Sequence, residues 1–119
     1  MKTLPTLASV AVTLIIFPTL SFAAKAKTYT GQVMDSACAK MGSHDAGYKM
    51  TGTNTPKDCT LACLRNGSTL MLYNPADKTA YELSDQKQAE ALAGQDVKVE
   101  GTLDKATKTL HVDKIEPAS

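Results

Sequence analysis

The chain has 119 residues, with 13 basic and 12 acidic side chains and a formal net charge of +1. That balance offers no basic surface for phosphates, which argues against a nucleic-acid binder and equally against an electrostatic membrane-surface binder. With no Trp and four Tyr, stacking platforms for single strands are scarce.

The first residues read as an address. Lys2 is a short positive region, an apolar run spans 7–20, and Ser21-Phe22-Ala23 places small residues at the −3 and −1 positions of a signal-peptidase site. Pro5 and Pro18 interrupt the run, whose apolar core falls short of the ~20 residues that span a bilayer. No cysteine stands at the cleavage point for lipid attachment. The expectation is a signal peptide over 1–23, with a second cleavage site near Ala26, and a periplasmic or secreted product with no membrane attachment. Residues 24–119 remain: 96 residues, enough for one domain, in which 12 basic residues face 12 acidic ones once Lys2 is gone.

In the mature part, 28–34 alternates as a first strand with Gly31 inside it, and such a glycine marks a bulge or a barrel corner. Residues 35–57 are rich in Gly, Ser, Asn, Thr and Pro and read as a long loop, with Asp35 turning or capping the chain at its start. Asp58 offers an N-cap, 59–66 a short helix and Gly67 its C-terminal stop. Two strands, 69–73 and 79–83, flank a hairpin turn at 74–78. Ser84 or Asp85 caps a second helix through Ala93, stopped by Gly94. A last hairpin follows, with Val97, Val99 and Leu103 alternating before the turn and Leu110, Val112 and Ile115 after it. His111, out of phase with its neighbours, is expected at the surface. The predicted fold is mainly β with two short helices: a five-stranded OB-like barrel, the alternative being an open α+β sheet.

Three cysteines, Cys38, Cys59 and Cys63, all fall in the mature part. Exported domains of this size ordinarily pair an even number. On a helix, Cys59 and Cys63 stand at i and i+4 with Cβ atoms about 5–6 Å apart, too far for a disulfide, which needs about 3.8 Å. Two arrangements stay open. In one, Cys38 bridges to Cys59 or Cys63 and leaves a free thiol. In the other, the three thiolates and His44 form a Cys3His tetrahedral set, which suits zinc. Met34, Met41 and Met50 in the same segment favour Cu(I) as the competing metal. Catalytic signals are poor: Ser36 has no nucleophile-elbow context and no carboxylate pair stands out. A thiol enzyme pairing Cys38 or Cys59 with His44 is the least unfavourable chemistry.

Thr30-Gly31-Gln32-Val33-Met34-Asp35-Ser36-Ala37-Cys38, Lys57-Asp58-Cys59-Thr60-Leu61-Ala62-Cys63 and Ala93-Gly94-Gln95-Asp96-Val97-Lys98-Val99-Glu100-Gly101-Thr102-Leu103 together resemble an uncharacterised family of small secreted bacterial proteins. More distantly, the last hairpin is similar to periplasmic bacterial OB-fold stress proteins. The resemblance implies a compact exported domain and carries Cys38, His44, Cys59 and Cys63 as its candidate site. The expected function is a non-enzymatic, monomeric exported module holding zinc or copper. The alternative is a disulfide-stapled envelope or stress-response module that binds a peptide, glycan or protein.

Overall fold

In the computed structural model the described residues are 26–119, with Thr3 and Ile15 singly. The export segment expected over 1–23 otherwise lies outside the described residues. The elements run β1 (Lys27–Asp35), α1 (Ser36–Met41), α2 (Asp45–Thr51), α3 (Pro56–Arg65), β2 (Leu70–Asn74), β3 (Thr79–Leu83), α4 (Gln86–Ala91), β4 (Asp96–Asp104) and β5 (Thr109–Pro117).

β1 makes the architecture possible. Its residues 27–32 pair antiparallel with β4, and its residues 32–35 pair antiparallel with β2. One strand can serve both neighbours only by bending, and the bend falls at Gly31, where an added Cβ would run into the Tyr73 carbonyl. β2 and β3 form the expected hairpin, β4 and β5 the second, and β3 runs parallel to β5. Every strand therefore has two partners, and the five close a ring of hydrogen bonds in the order β1-β2-β3-β5-β4.

Alternation then sorts the side chains. Val33, Leu70, Leu72, Leu83, Val97, Val99 and Leu110 fill the ring, with Ala89 of α4 packed against them. The α4 residue Gln86 stitches this end of the ring: its amide donates to the Leu70 and Leu83 carbonyls and its oxygen accepts from the Leu70 N–H. His111 is exposed, as its phase predicted.

The stretch 35–57 departs from expectation. It is not a loop but holds α1, α2 and the start of α3, so the described residues carry four helices where two were expected. The density of Gly misled because two of those glycines terminate helices here: α1 and α2 end on Gly42 and Gly52, both with positive φ. α3 also begins earlier. Thr55, not Asp58, is its N-cap and accepts from the Asp58 N–H, while Pro56 takes the first turn.

Candidate metal centre

A second buried cluster lies outside the ring: Met34, Cys38, Ala39, Cys59 and Cys63, flanked by half-buried Tyr48, Met71, Tyr73 and Ala80. It forms because three elements deliver polar atoms to one point. β1 ends at Asp35, which N-caps α1, its Oδ2 accepting from the Cys38 N–H at 3.1 Å. That cap fixes Cys38 one turn into α1. The α3 spacing sets Cys59 and Cys63 on one face, turned toward Asp35. The ligand atoms of Asp35, Cys38, Cys59 and Cys63 all lie within 4.8 Å of one another. Asp35, Cys38 and Cys59 have no exposed surface, and Cys63 is 6% exposed.

No two of the three sulfurs are at bonding distance; all three cysteines are free. The bridge from Cys38 to Cys59 or Cys63 is thus not formed in this structure, and Cys59 with Cys63 stays an unbridged helical pair. His44 does not join the four. It sits at the N-terminal end of α2, its Nε2 3.0 Å from Gln32 Oε1 and its ring stacked on Tyr48. Asp35 stands in the cluster where His44 was expected. The sequence marks Asp35 as a residue that turns or caps the chain, or as an outer partner that orients a ligand histidine; it is a cap through Oδ2, and its carboxylate also stands among the three thiols.

The electrostatics are those of a site short of positive charge. Asp35 Oδ1 is buried without a hydrogen-bond partner, as are His44 Nδ1 and Thr60 Oγ1, the hydroxyl next to Cys59. Among the described residues no Lys, Arg or His forms an ion pair with Asp35. Burial, reinforced by Asp35, pushes the Cys38 thiol far above the ordinary thiol range. The same causes raise Cys63 to about 11. Burial lowers His44 against the opposing pull of Asp35 and Asp45. A buried carboxylate beside the Cys38 and Cys63 thiols, whose ionisation burial opposes, is relieved by one cation. In a tetrahedral zinc site with Zn–S of about 2.3 Å, sulfurs sit about 3.8 Å apart, within the span these four atoms already occupy. The methionines divide: Met34 is buried against the cluster, whereas Met41 and Met50 are 54% and 79% exposed.

Residues 65–118 match a family model described as a protein of unknown function, DUF5818. No curated protein and no solved structure matches the chain. The matched stretch starts at Arg65, the last residue of α3, so it takes in four of the five strands and leaves out Asp35, Cys38, Cys59 and Cys63, which all precede it.

Proposed function

We propose that this protein is an exported, non-enzymatic module of OB-like topology whose Asp35, Cys38, Cys59 and Cys63 bind one zinc ion. The observation that carries the reading is the buried convergence of four ligand atoms within 4.8 Å, one from an Asp35 carboxylate whose Oδ1 has no hydrogen-bond partner. Three thiolates and a carboxylate make a four-ligand set for Zn2+. The carboxylate, and the exposure of Met41 and Met50, favour zinc over Cu(I), which prefers soft donors throughout. The OB-like reading draws on the ring order with β3 parallel to β5 and α4 between β3 and β4. Export rests on the sequence of residues 1–23.

The test is the metal content of the purified protein after dialysis, with thiol titration before and after chelation. The expected result is one zinc per chain and three thiols that become titratable only when the zinc is removed. Metal-free protein with one disulfide and one free thiol overturns the proposal.

A binding role for the rim of the ring, where Tyr29 and Tyr81 pack half-buried against its core, has one observation of its own. Tyr29 and Tyr81 meet edge to face, their centroids 6.2 Å apart, in a depression of about 240 Å³ that also takes in Thr28, Asn74 and Asp77. Such a surface suits a peptide or glycan of the cell envelope, aromatic faces supplying the contact and hydroxyls the hydrogen bonds.

A further inference from the structure

α2 is the one helix near the cluster that donates no ligand atom to it, yet its middle residue is pressed against two of the sulfurs. A Cβ built on Gly47 would stand 2.6 Å from Cys59 Sγ and 2.7 Å from Cys38 Sγ. Real Cβ atoms do not approach sulfur that closely, so any side chain here must push α2 off or drive the sulfurs apart. Gly47 is itself buried, and the next residue, Tyr48, packs against the same cluster. Glycine weakens a helix interior by roughly 0.5–1 kcal/mol relative to alanine, and in a helix of seven residues that cost has a reason once the sulfurs are its neighbours.

The attachment of α2 is slight. It packs on α3 and α1 and pairs with no strand. It lies between Gly42 and Gly52, both at positive φ. His44, at its start, makes no side-chain capping bond, but its Nε2 reaches Gln32 Oε1 on β1. That contact is a tether from the helix to the ring.

We infer that α2 is the cover of the metal site, seated by Gly47 on the Cys38 and Cys59 sulfurs and held by the His44–Gln32 tether, so that the ion is enclosed by protein and exchanges only when α2 lifts. The inference rests on the zinc reading above and deepens it: a covered ion with four protein ligands has no open coordination position for substrate, and its role is structural rather than catalytic or trafficking.

The experiment follows zinc transfer from the loaded, full-length mature protein to a chromogenic chelator in excess. Gly47→Ala is expected to release zinc at least ~10-fold faster than wild type, the size of effect seen when groups around a metal site are disturbed. Gln32→Ala, which removes the tether without touching a sulfur, is expected to accelerate release in the same direction. Ala89→Gly is the control. It weakens α4, which packs on the ring's core and not on the metal cluster, and should leave release unchanged. Should Gly47→Ala not fold, amide exchange on wild type reads the same device: zinc should slow exchange at Tyr48 and Gly52, whose N–H groups bond to the His44 and Tyr48 carbonyls, and leave Ala89 in α4 alone. A wild-type protein without zinc overturns both the zinc reading and the cover. Zinc present, with wild type, Gly47→Ala and Gln32→Ala releasing at one rate or α2 exchange indifferent to zinc, overturns the cover and leaves the zinc reading standing.

Discussion

Asp35→Asn separates two jobs held by one side chain. The carboxylate caps α1 through Oδ2, leaves Oδ1 buried without a hydrogen-bond partner, and stands among the three thiols. Asparagine caps a helix about as well as aspartate, so the chelated variant should unfold within about 0.5 kcal/mol of chelated wild type, the ordinary scatter of substitutions that break no interaction. Asp35→Ala loses the cap and should fall by about 1 kcal/mol. Zinc then reports the second job. At a free concentration 100 times the dissociation constant, a bound ion adds about 2.7 kcal/mol, which in a domain this size raises Tm by about 10–20 °C. Asn replaces an anionic ligand with a neutral one, and even a tenfold loss of affinity, about 1.4 kcal/mol, halves that rise. The assay is thermal unfolding by circular dichroism under reducing conditions, with chelator and with zinc, for wild type, Asp35→Asn and Asp35→Ala. Equal zinc-induced shifts in wild type and Asp35→Asn would refute a carboxylate ligand.

The pH dependence should reverse with loading. Cys63 titrates near 11 in the folded protein against an ordinary 9.0, so above pH 9 the folded state keeps a proton that the unfolded chain releases. Chelated protein should therefore lose stability as pH rises from 9 through about 11, whereas loaded protein should lose zinc as pH falls and protons compete for the thiolates; urea midpoints and metal retention across pH read the two arms, and chelated protein equally stable at both ends of that window counts against the thiol burial described here. Gly31→Ala should destabilise by about 1–3 kcal/mol, the usual cost of overpacking, because the new Cβ meets the Tyr73 carbonyl; a neutral urea midpoint would mean the β1 bend does not need glycine. Lys108→Gly should stabilise by up to about 1 kcal/mol, since Lys108 holds φ 54° in the β4–β5 turn, where glycine carries no Cβ penalty. A lower midpoint would show that the lysine side chain contributes more than its backbone strain costs.

Much of the ring was legible in the sequence because its signals are local. Val97 and Val99 alternate with polar neighbours, Leu70 and Leu72 share one face, and Asn74, Pro75 and Asp77 mark the first hairpin turn. Gly31 and Gly94 marked their places for sound physical reasons. The segment between β1 and α3 was not legible, since its residues answer to tertiary demands. Gly47 sits mid-helix to clear two sulfurs, so it reads as a breaker to anyone who cannot see them. Asp35 reads as a cap because capping is a local act, while its second oxygen matters only when α3 swings Cys59 and Cys63 beside it. His44 drew notice by standing six residues after Cys38, but closeness in sequence does not set direction, and its imidazole turns to Gln32 instead. Thr55-Pro56 with Asp58 was the missed sign: a cap, a proline in the first turn and an acid three residues on state the true start of α3.

β1 enters the ring between two strands that would otherwise be bare edges. Without it, β2 and β4 each present a row of unpaired amides and carbonyls, a template for adding strands from other chains. The joint with β2 is four residues long, Gln32 to Asp35, and its last residue is the one drawn in among the thiols. Whatever fastens Asp35 to Cys38, Cys59 and Cys63 therefore also keeps the shorter of β1's two seams shut. Loss of that fastening is felt first as an opened edge, and an opened edge is a template for self-association.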